Sequence, residues 1–189
     1  MKYQPRVFVS SDLHFNHTNI LQYCPARGST VDEMNQIIIQ NWNSVVSKND
    51  ICYILGDVAM GRIQESVPLI KQLNGRLHLI LGNHDKDLKK LISNSNEKLF
   101  DTIQDYLELN HRYNGEKCKV IMFHFPIAKF NGGHSESNFH IHGHCHGNPT
   151  GLTGRIKDIG VDTNNLFPYL LDDVITELKS TLTAPSHHS

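Results

Sequence analysis

Five short apolar runs in this chain each end in Asp, Asn or His, residue types whose oxygen and nitrogen donors suit hard or borderline divalent cations. Val7 to Ser11 runs into Asp12-Leu13-His14. Ile51 to Leu55 runs through Gly56 into Asp57, and Leu77 to Leu81 runs through Gly82 into Asn83-His84-Asp85. Val120 to Phe123 ends in His124, and Asn138 to His142 passes through Gly143 into His144-Cys145-His146. Apolar runs of this length read as strands, and ligands of open α/β sheets bind at the carboxyl ends of the strands. The pattern predicts one site assembled from five strand ends. Its candidate ligands are Asp12, His14, Asp57, Asn83, His124, His144 and His146. These are too many for one tetrahedral ion, but they suit two ions sharing a carboxylate, an arrangement used for displacement at phosphorus. The charges of two divalent ions would exceed those of Asp12 and Asp57, a surplus that favours a bridging hydroxide and an anionic substrate. Singly, each residue would read as an ordinary turn or surface group; order and strand-end placement carry the inference.

The elements that position these ends are legible in outline. Phe15 to Ser29 reads as a loop. Thr30-Val31-Asp32-Glu33 matches a capping box, predicting a helix to about Val46 with Met34, Ile38, Trp42 and Val45 on its apolar face. A second helix reaches Leu73. Pro68 suits only a first turn, so that helix is expected to start near Gln64 or Ser66 and to stop at Asn74-Gly75. A short helix follows from Lys86 to Ile92. Leu107-Glu108-Leu109 and Cys118 to Phe123, joined through Asn114-Gly115, read as a β-hairpin. Pro126 to Ser137 reads as a loop close to the site, Arg155 to Val161 as a strand, and the stretch after Pro168 as a closing helix. Interleaved strands and helices with a hairpin predict an α/β chain of the α+β type whose sheets are not purely parallel.

The chain has 189 residues, which fits one domain with a substantial core over 1–182 and a polar tail over 183–189. The net charge of −1 lacks the basic excess that long nucleic acid requires, and a small substrate is expected instead. The first residues are too sparsely apolar for a signal or membrane segment, so no membrane association and a cytoplasmic location are expected. Cys24, Cys52, Cys118 and Cys145 form neither a CxxC pair nor a zinc-finger spacing and are expected to be reduced thiols. Thirteen histidines reinforce the expectation of metal.

Asp12-x-His14, Gly56-Asp57, Gly82-Asn83-His84-Asp85, His124 and Gly143-His144-x-His146 resemble, in order, the five signature blocks of the calcineurin-like metallophosphoesterases. The opening Asp12-Leu13-His14-Phe15-Asn16-His17-x-Asn19-Ile20, with Glu33-Met34-Asn35 and Asn41-Trp42-Asn43, is similar to a small bacterial and phage branch of that superfamily. The resemblance implies a four-layer αββα sandwich of two mixed β-sheets flanked by helices. It implies that Asp12, His14, Asp57 and His146 hold one metal, and that Asp57 bridges to a second held by Asn83, His124 and His144. Manganese is the first expectation, with iron, zinc, cobalt and nickel also suited to mixed oxygen and nitrogen donors. His84 is then the general acid: after hydroxide attacks phosphorus, the alkoxide leaving group needs a proton, and an imidazole beside a metal ligand can supply it. Asp85 is the candidate to orient His84 or raise its pKa.

His17 and Arg62 are candidate substrate contacts, with Arg27 and His134 as further candidates. His140 and His142 read as core or supporting residues, Cys145 as pointing away from the ligands, His78 as a sheet histidine and His111 as exposed. The expected substrate is a small phosphodiester of nucleotide type, acted on by a monomer or homodimer. A phosphomonoesterase or nuclease of the same superfamily is the alternative. Protein phosphatases of the superfamily carry Gly-Asn-His-Glu where this chain has Gly82-Asn83-His84-Asp85, and the metallo-β-lactamase pattern requires an aspartate that His140-x-His142-x-His144-x-His146 lacks. A metal sensor or structural zinc protein would leave Asp12, Asp57 and Asn83 unexplained, because structural zinc prefers closed sets of Cys and His.

Overall fold

The computed structural model describes residues 4–94 and 98–181; the tail expected over 183–189 lies outside the described residues. Val7–Ser10 (β1), Ile51–Ile54 (β2), Arg76–Ile80 (β3) and Thr102–Gln104 (β4) pair in parallel, in the order β4-β3-β2-β1. Leu107–Tyr113 (β5) and Glu116–Met122 (β6) form the expected antiparallel hairpin, with Tyr113 opposite Glu116. Asn114 and Gly115, both at positive φ, make its two-residue turn, as a type I′ connection demands. Asn138–His142 (β7) and Ile156–Asp158 (β8) extend that second sheet in parallel, and Tyr169–Leu170 (β9) returns to the first sheet antiparallel to β1. Both sheets are therefore mixed.

Ile20–Tyr23 (α1), Val31–Val45 (α2), Ile63–Ile70 (α3), Lys86–Asn94 (α4) and Leu171–Lys179 (α5) are the helices among the described residues. Strand alternation divides the core in two. Phe8, Cys52, Ile54, Leu77 and Leu79 face α1 to α4, whereas Val9, Leu55 and Ile80 face the second sheet through Val120, Met122, Phe139 and Ile141. Leu171, Val174, Ile175 and Leu178 of α5, spaced along one helical face, join this inner core. The alternate face of the second sheet presents Ile121, His140 and His142, all buried, and the loop after β6 covers it where the Ile127 N–H donates to His140 Nε2 (3.0 Å).

Thr30 caps α2 as expected, accepting from Glu33 N–H (3.2 Å), but the Glu33 carboxylate reaches back to Ser29 N–H (2.7 Å) instead of Thr30. Met34, Ile38 and Trp42 are fully buried, and the Trp42 indole N–H donates to Asn74 carbonyl (2.9 Å), joining α2 to the turn before β3.

Three expectations need correction. The second predicted helix starts at Ile63, so Pro68 lies inside it, and it ends at Ile70; the carbonyl that Pro68 leaves unbonded belongs to exposed Gln64, where water can take its place. The strand expected over Arg155 to Val161 is confined to Ile156–Asp158, because Val161–Thr163 closes into a 3-10 turn. The loop expected over Phe15 to Ser29 contains α1 and a 3-10 turn at Pro25–Arg27. Strands β4 and β9, three and two residues long, are too short to display an alternating pattern. Among the described residues no helix is long and apolar enough to cross a membrane.

Candidate metal centre

The ends of β1, β2 and β3 meet those of β6 and β7 along one joint between the sheets, and glycines set how closely they approach. A Cβ at Gly143 would collide with Ser11 Oγ and the Asp12 carboxylate; one at Gly82 would collide with Asp57. Gly82 therefore makes room for a ligand carboxylate of the neighbouring strand. The Gly143 N–H donates to the His124 carbonyl (2.9 Å), tying the ends of β6 and β7 together.

Asp12, His14 and His146 gather as one donor group, and Asp57, His124 and His144 as another. His14 Nε2 and His146 Nε2 lie 3.8 and 3.7 Å from Asp12 Oδ1. Asp57 Oδ2 stands between the groups, 3.8 Å from His14 Nε2 and 3.5 Å from His124 Nε2. Asn83 Oδ1 reaches His124 Nε2 at 2.9 Å. His124 Nδ1 donates to the Leu55 carbonyl (2.7 Å), so in the neutral ring Nε2 turns its lone pair toward Asn83 Oδ1, and the two acceptors converge.

These donors fit divalent cations. Buried Asp12 Oδ1 and His14 Nε2 make no hydrogen bond among the described residues, a state that native interiors rarely leave without a bound partner. Burial raises the Asp12 carboxyl to about 6 and, with Arg27 nearby, lowers the His14 imidazole to about 2. Burial would also raise Asp57, but in the metal-free chain a protonated His124, through its hydrogen bond and charge, brings it down to about 2. A cation at the shared donors would stabilise the carboxylates and leave the imidazoles neutral.

Five of the seven candidate ligands, Asp12, His14, Asp57, His144 and His146, have φ between 51° and 68°. Left-handed backbone is costly for side chains with a Cβ, by about 1–3 kcal/mol in sparsely populated cases, and it clusters at functional sites. Here it turns the chain sharply beyond each strand end. The floor of the site, Asp12, His14, Asp57 and His124, is buried, while Asn83, His84 and His144 are exposed at its mouth.

His84 lies at that mouth, its Nε2 3.9 Å from Asp57 Oδ2 and its N–H donating to Asp57 Oδ1 (2.9 Å). His17 stands beside His14, with Nδ1 atoms 3.1 Å apart, on the rim of the site. Asp85 is placed differently from its expected position against His84. Its buried carboxylate accepts from the N–H groups of Gly82 (2.8 Å), Asp57 (2.9 Å) and Val58 (3.0 Å), which fixes the two loops that carry Asp57 and Asn83. Arg62 leaves the site, its guanidinium 3.4 Å from Glu65 and 85% exposed. It lines a groove between α3 and α4 with Gln64, Asp87 and Lys90. Arg27 is wholly buried, donating to the carbonyls of Asp12 (2.7 Å) and Leu13 (3.0 Å), and so is a support and not a substrate contact.

His134 is exposed on the loop before β7. His140 and His142 bond backbone carbonyls, at Ile121 (3.0 Å) and Gly143 (2.8 Å). His78 bonds Thr102 within the sheet (2.9 Å). His111, expected to be exposed, is 17% exposed and bonds Asp172 of α5 at 2.7 Å.

Asp162 was not among the expected site residues. It accepts from His146 Nδ1 (2.7 Å), directing Nε2 toward the donor group, and pairs with both sides of the Arg27 guanidinium. A signal for it exists, because Asp162 directly follows the run predicted as a strand, the same placement that marks the other five ends. Cys24 was also missed; its thiol lies 4.0 Å from His146 Nδ1.

The family model for calcineurin-like phosphoesterases matches residues 5–177. An uncharacterized protein of Methanocaldococcus jannaschii is 37% identical over 148 residues, covering 76% of this chain and 70% of the archaeal one. The gene 66 protein of Mycobacterium phage L5 is 27% identical over 161 residues, covering 72% of this chain and 75% of the phage protein. A solved structure of a protein of unknown function from Aquifex aeolicus shares the fold with a TM-score of 0.70 at 24% identity, over 92% of this chain and 100% of that one.

Proposed function

The chain belongs to the calcineurin-like phosphoesterase family, and from that premise we propose that it hydrolyses phosphodiesters of nucleotide type with two divalent metal ions and His84 as general acid. The observation that carries this reading is the shared Asp57 carboxylate, whose Oδ2 faces His14 on one side and His124 on the other. Asp12, His14, Asp57 and His146 would hold one ion, and Asp57, Asn83, His124 and His144 the other. Bound there, the ions would supply a water of lowered pKa as nucleophile and positive charge for the phosphoryl oxygens.

The remaining steps fall to the chain itself. Asp57 Oδ1 holds the His84 backbone (2.9 Å), so the imidazole is presented over the shared carboxylate while 41% of its side chain stays open to substrate. From that position it can hand a proton to the leaving ester oxygen, a contribution of about 10²–10⁴ in rate for a positioned general acid. His17, on the rim beside His14, is placed to meet a phosphoryl oxygen. Asp162 keeps His146 oriented, and Asp85 keeps the Asp57 and Asn83 loops together. Asn83, His84 and His144 are exposed at the mouth, an opening that suits the second substituent of a diester. Manganese suits the mixed oxygen and nitrogen donors. The four free thiols agree with a cytoplasmic setting.

Hydrolysis of a chromogenic phosphodiester beside its monoester, on chelator-stripped protein with manganese restored, tests the reading. Metal-restored cleavage with the diester preferred is expected. Preference for the monoester would transfer the assignment to a phosphatase, and bound metal without cleavage of either ester would remove it.

A further inference from the structure

An aromatic wall leads from the metal centre to solvent. Phe125 directly follows His124, and its ring stands roughly edge-to-face against both His124 (centroids 4.9 Å apart) and His144 (4.7 Å). Phe123, 5.6 Å from Phe125, and Tyr106, 6.3 Å from Phe123, continue the wall. Phe125 and Tyr106 are 37% and 40% exposed and, with Tyr23, are the exposed large apolar side chains among the described residues. One of those three rings thus borders the centre, and a second ends the wall that leads away from it.

The wall is also held in place. Pro126 restricts the backbone after Phe125, and the next N–H, that of Ile127, donates to His140 Nε2 (3.0 Å), whose Nδ1 donates to the Ile121 carbonyl (3.0 Å). Burial lowers the His140 imidazole to about 4, consistent with this neutral tautomer. At the far end the Tyr106 hydroxyl donates to Glu108 (2.9 Å), which Lys119 holds in turn (2.7 Å). Rings fixed before a ligand arrives incur little ordering cost when it binds.

A phosphoester held at the donor groups brings its organic substituent to the rim, and beside His124 and His144 that rim is aromatic. Ring-on-ring contact adds to area burial through matched quadrupoles, which an aliphatic substituent lacks. We infer that Phe125, supported by Phe123 and Tyr106, is a stacking platform for a planar aromatic group of the substrate. That group is a nucleobase under the nucleotide phosphodiester reading, on which this inference rests.

Calorimetric titration of the manganese-loaded protein with adenosine 5′-monophosphate, ribose 5-phosphate and inorganic phosphate tests it, on the natural chain, Phe125→Ala and Phe125→Trp. The natural chain should bind the nucleotide at least about fivefold more tightly than the sugar phosphate, the lower end of what base stacking provides. Phe125→Ala should lose that advantage, Phe125→Trp should keep it, and the affinity for inorganic phosphate should be the same in all three. Equal affinity for nucleotide and sugar phosphate in the natural chain overturns the inference without any variant. So does a parallel loss of all three ligands in Phe125→Ala, which would make Phe125 a support for His124. Phosphate binding without base preference defeats the platform alone, whereas no phosphate binding at all defeats the phosphoesterase reading as well.

Discussion

Replacing Asp162 by Asn should weaken one half of the metal centre and the fold beneath it together. The Asp162 carboxylate accepts from His146 and pairs with the Arg27 guanidinium; the side chains of Asp162 and Arg27 are 10% and 0% exposed. Asparagine keeps one acceptor oxygen but turns an N–H donor toward donors. Breaking a buried ion pair from one side costs about 3–5 kcal/mol, and the retained acceptor places the expected loss near about 3. Removing the group that orients a ligating histidine should weaken one metal site by about 10–100-fold and leave the other unchanged. Urea denaturation of the metal-free protein and calorimetric titration with manganese measure the two effects.

The pH dependence supplies a further check. Burial alone would raise the Asp162 carboxyl, but His146 and Arg27 outweigh it and hold the group well below its ordinary 3.8. A depressed carboxyl contributes stability that is fully present above its unfolded value and fades as pH falls through its folded value. Burial would lower His146, but its bond to the same carboxylate raises it above its ordinary 6.5. The stability difference between the natural chain and Asp162→Asn should therefore grow as pH falls from about 8 to about 6, hold to about pH 5 and shrink below about pH 4. A difference under about 1 kcal/mol with unchanged metal affinity, or one that keeps widening below about pH 4, would refute the reasoning.

His84→Ala should lower kcat/KM about 10²–10⁴-fold on an ester with a poor alkyl leaving group, and far less on a nitrophenyl ester that needs no proton. Metal content should be unchanged, as elemental analysis would show. Asp85→Ala strips the shared acceptor from three backbone N–H groups and should cost about 3 kcal/mol or more, because hydrogen bonds to a charged group contribute about 1.5–3 kcal/mol each. Arg62→Ala, by contrast, should leave kcat/KM within about twofold, as for surface changes remote from the site. Asp12, raised to about 6 in the metal-free protein, takes up a proton as the pH falls through that value. Metal affinity at its site should accordingly fall by up to about tenfold per pH unit below 6, measurable by titration between about pH 7 and pH 5.

The donor groups are legible in the sequence because their signals are local. An apolar run followed by a polar end, punctuated by glycine, occupies fewer than ten residues and needs no knowledge of what packs against it. The same holds for the α2 cap, the Asn114-Gly115 hairpin and the α5 stripe. Asp85 shows the limit: its place beside His84 suggests a catalytic partner, yet its carboxylate is occupied by backbone N–H groups 27 and 28 positions earlier. Arg27 and Arg62 are both basic residues near a motif, and burial alone separates the support from the surface group.

Residue type and strand-end position, then, settle which side chains can serve as donors, because hydrophobic periodicity and turn chemistry are short-range. Their grouping belongs to the folded chain. Strand alternation by itself would set His144 and His146 on the same face as His140 and His142, away from the first sheet. Left-handed turns at both residues break that alternation, and the bond from the His144 N–H to Asp12 Oδ2 (2.9 Å) spans 132 positions. Likewise the Arg27–Asp162 pair spans 135 positions and brings a residue of the 3-10 turn after β8 beneath the end of β1. Such conformations and pairings are favourable only where two sheets pack closely enough to bury them, a condition that no short stretch of the sequence contains.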